Sequence, residues 1–182
     1  VQNISTAAEI MATALAQGNK ILFAGNGGSA TQADHFAEEL VAKYHKERKA
    51  LPAISLTHPG TLTCTANDWN FDYVFARQVE AFGKSGDVFY GYTTSGNSKN
   101  ILQAIDAAHQ RHMKTIVLSG KNGGLCLTAA WKPKINCFII IPDTSTARIQ
   151  EIHDLILHIH CEMIEQKLFP ELYPEKKGGV HD

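Results

Sequence analysis

A short apolar run that passes directly into a glycine-rich turn is the feature of this chain that most restricts its fold. Residues 21–24 (Ile-Leu-Phe-Ala) are followed by Gly25-Asn26-Gly27-Gly28-Ser29, and a helical pattern begins at about Ser29. Glycines let the backbone turn sharply and approach a ligand closely, and the first turn of a helix presents free N–H groups to an anion. The order of strand, turn and helix therefore predicts an α/β fold with a binding site at the start of that helix.

The same alternation of apolar runs and helical periodicity continues along the 182 residues, which is typical of a parallel sheet covered on both faces. Strands are predicted over 20–24, 51–56, 87–92, 115–118 and 137–141. Helices are predicted over 3–18, 29–44, 61–66, 71–82, 99–111 and 147–167, with Val41 among the core residues of the second. We expect one domain over 1–182, with a loosely ordered tail from 169 to 182.

Composition excludes several classes of protein. The chain has 17 Lys and Arg against 18 Asp and Glu, a balance that argues against a nucleic-acid binder, and the basic run from Lys43 to Lys49 is interpreted as a solvated helix end. No segment approaches the run of about 18 apolar residues that a membrane span needs. The four cysteines form no C-x-x-C motif, so we expect reduced thiols in a cytoplasmic protein.

A second loop follows the predicted strand 87–92. It offers the hydroxyls of Thr93, Thr94, Ser95 and Ser98 around Gly96, and it also opens a helix. Capping that helix would need only one hydroxyl, so four favour a phosphate monoester as the ligand. Neither loop has a dinucleotide-binding or P-loop pattern, and nucleotide binding is therefore not indicated.

His35 and Glu39 lie four residues apart in the predicted helix 29–44 and therefore share one of its faces. Imidazole nitrogen and carboxylate oxygen are ordinary zinc ligands. The alternative is an exposed ion pair worth about 0.3–0.5 kcal/mol. The pair alone does not decide between them.

The predicted last helix carries polar side chains beside an apolar stripe. The stripe consists of Ile149, Ile152, Ile156, Ile159 and Met163. Gln150, Asp154 and His158 recur every four residues on an adjacent face, and His153 and His160 share another. This pattern indicates either a functional site or a subunit interface.

Several motifs in order are more specific than any one of them. They are residues 25–29 (GNGGS), 35–40 (HFAEEL), Asn67-Asp68, 94–98 (TSGNS) and 148–153 (RIQEIH). Together they resemble the sugar isomerase (SIS) domain family over about residues 1–168, and within it the bacterial phosphoheptose isomerases. Members usually carry an additional N-terminal helix, so we expect residues upstream of Val1.

The resemblance implies a three-layer αβα sandwich around a five-stranded parallel sheet, assembled as a homotetramer with active sites between subunits. It implies conversion of sedoheptulose 7-phosphate to D-glycero-D-manno-heptose 7-phosphate, the first step toward the activated heptose of lipopolysaccharide core or related surface glycans. The implied partners are this small sugar phosphate and further copies of the chain, with no nucleic acid and no membrane.

The resemblance also implies residue roles. Glu39 would be the catalytic base and His158 the acid, and one zinc per active site would be held by His35, Glu39, Gln150 and His158. Substrate would be bound by Asn26, Gly27, Ser29, Asn67, Asp68, Thr93, Thr94, Ser95, Ser98 and Gln150.

Three points stay open at this stage. Gln150 and His158 are separated by about 12 Å along a straight helix, so they reach one metal only if long side chains converge or if they come from different subunits. A metal-bound Glu39 would be a weaker base. One alternative function is a non-catalytic SIS adaptor that binds the DNA replication initiator, and another is a sensor or isomerase for a different sugar phosphate. Glu39 and His158 favour the enzyme over the adaptor, because the adaptor needs neither.

Overall fold

The computed structural model describes residues 1–174 of the chain. Its α-helices are α1 (Gln2–Ala16), α2 (Gly28–Val41), α3 (Pro59–Asp68), α4 (Ala76–Phe82), α5 (Lys99–Gln110) and α6 (Thr146–Leu168). Its strands are β1 (Ile21–Ala24), β2 (Ala53–Ser55), β3 (Val88–Thr93), β4 (Lys114–Gly120) and β5 (Cys137–Ile141). Single 3₁₀ turns occur at Phe71–Tyr73, Gly124–Leu127, Lys132–Lys134 and Pro170–Leu172.

All five strands pair in parallel, in the order β2-β1-β3-β4-β5. β1 and β3 are buried along their whole length because helices cover both faces of the sheet. Alternate residues of β1 serve different cores: Phe23 belongs to the core under α1, α2 and α6, whereas Leu22 belongs to the core under α4 and α5. The predicted α/β fold with a five-stranded parallel sheet is confirmed.

Most predicted elements are found within three residues of their expected bounds, but the helix predicted over 71–82 is broken. Phe71–Tyr73 forms a 3₁₀ turn, and α4 begins only at Ala76. The N–H of Val74 donates to the carbonyl of Phe71, three residues back, which makes this a 3₁₀ turn, and the side chain of Asn70 caps its start by accepting from the backbone N–H of Asp72 (2.8 Å). The predicted helix is therefore present as two short segments.

The interpretation of the basic run as a solvated helix end is partly wrong: its three lysines are exposed, but the run lies beyond the helix and its arginine is buried. α2 ends at Val41, which is 48% exposed rather than in the core, and the side chain of Arg48 is fully buried. Its Nη1 and Nη2 donate to the carbonyl oxygens of Leu40 (2.8 Å) and Glu39 (2.7 Å), and these are orphan acceptors at the end of α2. Its Nε donates to Glu165 Oε1 of α6 at 2.8 Å. Arg48 therefore caps α2 and joins it to α6.

Glu165 is the buried acceptor at the centre of this arrangement. Besides Arg48, it accepts hydrogen bonds from the backbone N–H groups of Tyr44 and His45 and from the hydroxyl of Tyr173. Burial alone would raise the pKa of Glu165, but the bonds from Tyr173, Arg48 and the backbone together lower it below its ordinary value. The tail is thus anchored up to Tyr173, and residues 175–182 of the predicted loose tail lie outside the described part of the chain.

The predicted apolar stripe of α6 is partly wrong. Ile149 and Ile156 are buried, but Ile152 is exposed, and His153 and His160 are fully buried instead. His160 Nε2 donates to the carbonyl of Ile4 (3.1 Å), and Nδ1 accepts from the hydroxyl of Tyr90 (3.1 Å). Burial is the main cause that lowers the pKa of His160 to about 4. The imidazole is hence a neutral part of the core, a role that its polarity hides in the sequence.

Among residues 1–174, none of the helices is both long and apolar enough to cross a membrane.

His160 should make stability depend on pH. In the unfolded chain it titrates near 6.5, so the unfolded state binds more protons than the native state between pH 6.5 and 4. The free energy of unfolding should therefore fall as pH falls through this window, by up to about 3 kcal/mol from this residue. Urea unfolding at several pH values measures it. His160→Gln should lose less stability across the window, while exposed His109→Gln should behave as the parent; equal losses in all three proteins would contradict the assignment.

Candidate active site

The two loops that the sequence marks out lie side by side, because β1 and β3 are neighbours in the sheet and both loops leave its carboxyl edge. They are tied together by a reciprocal pair of amides. Asn26 donates to Asn100 Oδ1 (2.9 Å), and Asn100 donates to Asn26 Oδ1 (2.8 Å). Asn26 thus joins the two loops, and its predicted contact with sugar stays a prediction. Asn100 was missed because nothing in its local pattern shows a partner 74 residues away.

Two glycines of the first loop have identifiable roles. Gly27 has φ +56°, a left-handed conformation that favours glycine. A Cβ at Gly28 would lie 2.8 Å from the Gln150 amide nitrogen. The loop therefore turns at Gly27 and admits the side chain of Gln150 at Gly28.

In the second loop the hydroxyls divide into two groups. Thr93 is buried, donates to Ser98 Oγ (3.2 Å) and accepts from the N–H of Gly96 (3.2 Å), so its hydroxyl holds the loop together. Thr94 and Ser95 are partly exposed, and Ser95 Oγ accepts from the N–H of Asn97. Thr94, Ser95 and Ser98 stand at the start of α5, where a helix favours an anion.

α2 and α6 lie beside each other and run in the same direction, so they make polar contacts turn after turn. Gln150 Nε2 donates to Ser29 Oγ (3.3 Å) at one end. One turn further, Gln32 Nε2 donates to the carbonyl of Gln150 (2.7 Å) and to Asp154 Oδ1 (2.8 Å). Gln32 is buried and was missed by sequence reasoning, although its spacing of three and seven residues from His35 and Glu39 places it near their helix face.

We call the line of contact between α2 and α6 the seam. Further along it, the side chains of His35, Glu39 and His158 converge. One ligand atom from each lies within 4.8 Å of the others. His35 Nε2 is 3.3 Å from Glu39 Oε1, and the ring centroids of His35 and His158 are 5.2 Å apart. Two imidazoles and one carboxylate form a donor set that suits zinc. The structure thus brings together residues that could hold a metal ion.

Gln150, the fourth predicted ligand, lies at the other end of the seam. Its side chain contacts Ser29 and Gly28, two helical turns before His158. Within one chain it therefore stands with the hydroxyls rather than with the imidazoles. Its role as a ligand stays a prediction.

Asn67 and Asp68 lie at the exposed end of α3. Asn67 donates to Asp68 Oδ1 (3.0 Å), and Asp68 also accepts from the thiol of Cys64. Bonds from Asn67 and then Cys64 lower the pKa of the Asp68 carboxyl. Contacts of these two residues with sugar stay predictions.

The SIS domain family matches residues 1–120. A phosphoheptose isomerase of Leptospira biflexa is 48% identical over 170 residues, which are 92% of this chain and 85% of the relative. The chain belongs to the phosphoheptose isomerase family. The solved phosphoheptose isomerases of Neisseria gonorrhoeae (42% identity, TM-score 0.83) and Francisella tularensis (40%, 0.85) each cover 91% of this chain, which covers 86% of each of them.

Family membership has two consequences. The resemblance drawn from the five motifs is confirmed, and the chain is an enzyme, a sugar-phosphate isomerase. Its sheet and six helices match the phosphoheptose isomerase structures.

Gln32 should contribute to stability through its two donated hydrogen bonds. Gln32→Leu keeps the volume similar but leaves the Asp154 carboxylate and the Gln150 carbonyl without these donors. We expect the free energy of unfolding to fall by about 1–3 kcal/mol. Gln110→Leu, which removes an exposed amide bound to Asp106, should change it by no more than about 0.5 kcal/mol. Urea titration of both variants measures the difference, and equal effects would contradict a role for the buried amide.

Proposed function

We propose that this chain interconverts sedoheptulose 7-phosphate and D-glycero-D-manno-heptose 7-phosphate. The convergence of Glu39 with His35 and His158 is the single observation that carries the proposal, because it places a carboxylate and two imidazoles within 4.8 Å of one another. The names of the relatives supply the substrate class.

The phosphate would be bound where the two loops meet. Ser29 opens α2, while Thr94, Ser95 and Ser98 precede or open α5. Free N–H groups at two helix starts, together with these hydroxyls, suit a phosphate monoester. Because a phosphate held there fixes one end of the sugar chain, the reacting carbons at the other end are free to lie along the seam.

The reaction moves one proton between neighbouring carbons and one between their oxygens. Glu39 takes the proton from C1 of the ketose, which leaves an enediol, and returns it to C2. His158 gives a proton to the oxygen on C2 and accepts the proton from the oxygen on C1, so that atoms and charges balance. Both side chains are partly exposed, as groups that must meet substrate have to be.

Zinc is the metal that we propose for the cluster, with His35, Glu39 and His158 as ligands and Gln150 as the predicted fourth. When bound, zinc would polarise the substrate carbonyl and stabilise negative charge on its oxygen. Coordination weakens Glu39 as a base, so the ligand and base roles of this residue compete. Activity measured with and without a chelator shows whether Glu39 acts as the base with zinc bound or only without it.

We further propose a homotetramer with active sites at subunit interfaces. Large apolar side chains on the surface support an interface: Trp69, Phe71 and Tyr73 follow Asn67 and Asp68, and Leu155 on α6 is 58% exposed. The enzyme would act in the cytoplasm, in the supply of activated heptose for lipopolysaccharide or related surface glycans. The adaptor alternative raised from the sequence has no support in the comparisons.

Glu39→Gln should remove nearly all turnover without unfolding the protein. The amide keeps the shape of the side chain but cannot accept the C1 proton, so kcat should fall about 100- to 10,000-fold. Glu38→Gln is the matched control, because Glu38 is its exposed neighbour, and it should keep parental activity. A coupled assay with sedoheptulose 7-phosphate measures both variants, and circular dichroism checks their fold. A Glu39→Gln enzyme with parental kcat would refute the assigned base.

A further inference from the structure

Tyr44 lies over His158, in the segment that follows α2. Its ring and the imidazole of His158 are stacked, with centroids 5.8 Å apart and an angle of 18° between their planes. Tyr44 also stacks on His45, the next residue in the chain, with ring centroids 3.9 Å apart and an angle of 20° between the planes. We propose that Tyr44 is a positioning residue that holds the imidazole of His158 in its working orientation, an inference that rests on the proposed function of His158.

The need for such a residue follows from the side chain of histidine. Rotation of an imidazole about its χ2 bond is broad, so its nitrogens are aimed only when neighbours restrict the ring. His35 meets His158 edge-on, with planes at 77°. Tyr44 supplies the flat contact. Together the two rings restrict the imidazole in two different directions.

The buried ion pair keeps Tyr44 in place. Glu165 follows His158 by seven residues, two turns of α6, and so lies on the same face of the helix. Its two carboxylate oxygens accept from the backbone N–H groups of Tyr44 (3.2 Å) and His45 (3.4 Å). Arg48 holds that carboxylate and also donates to the carbonyl of Glu39. One ion pair thus holds the carbonyl of Glu39 and the backbone of Tyr44, whose ring lies beside His158.

The ring of Tyr44, rather than its hydroxyl, carries this role. Among residues 1–174 the hydroxyl of Tyr44 makes no hydrogen bond within the protein, whereas the ring stacks on the imidazole of His158. Phenylalanine should therefore substitute for Tyr44 in this role, whereas a non-aromatic side chain of similar bulk should not.

Two variants of one position test the proposal. Tyr44→Phe keeps the stacked ring, and Tyr44→Leu keeps an apolar side chain without a flat face. For each we would measure kcat and KM with sedoheptulose 7-phosphate, and titrate the metal-free protein with Co²⁺ by visible absorbance. Tyr44→Phe should stay within twofold of the parent in all three. Tyr44→Leu should lose about tenfold in kcat and in Co²⁺ affinity, the size of effect found for residues that orient metal-binding histidines, with KM little changed.

The outcomes separate this inference from the proposed function. If Tyr44→Leu matches the parent, or if Tyr44→Phe falls as far as Tyr44→Leu, the positioning role of the ring is overturned. If the parent protein neither turns over the substrate nor binds Co²⁺, the proposed function fails. The stacking is then still tested by NMR, since Tyr44→Leu should shift the ring-proton signals of His158 and Tyr44→Phe should not. Unshifted signals in Tyr44→Leu would overturn the contact itself.

Discussion

The packing of α2 against α6, side by side and in the same direction, is the constraint on which the rest of the site depends. Their polar contacts begin with Ser29 and Gln150, continue through Gln32, and end in the buried pair of Arg48 and Glu165. Breaking such a pair by removing one partner leaves an unpaired buried charge and costs about 3–5 kcal/mol. A shift of one helix along the other would lose all of these contacts together, so the register of the seam is strongly fixed.

This register is what turns separate motifs into a site. The parallel sheet brings the two hydroxyl-bearing loops to one edge, and the amides of Asn26 and Asn100 lock them together. The seam then runs from this edge past Gln32 to His35, Glu39 and His158. A phosphate group and a reacting carbonyl are at opposite ends of a sugar phosphate, and in the function that we propose the two loops bind the phosphate while the cluster of His35, Glu39 and His158 acts at the carbonyl end. Stability and chemistry therefore depend on the same contacts.

The sequence was informative wherever the signal is local. Buried parallel strands appear as apolar runs, and His35 and Glu39 share a helix face because of their spacing alone. It was uninformative where a partner is far away in the chain. Arg48 looks like one charge in a solvated run, because nothing nearby in the sequence shows that Glu165, 117 residues later, accepts a hydrogen bond from its Nε. His160 likewise looks functional until Tyr90 and Ile4 are seen to satisfy both of its nitrogens.

In the function that we propose, one seam assembles His35, Glu39 and His158 into a single metal-binding, acid–base centre. Anomalous diffraction at the zinc edge, from crystals of the parent protein grown with Zn²⁺, tests it most directly. We expect a peak bonded by an imidazole nitrogen of His35, one of His158 and a carboxylate oxygen of Glu39, at about 2.0–2.2 Å. A peak bound elsewhere, or these three side chains left without a peak at saturating Zn²⁺, would contradict it.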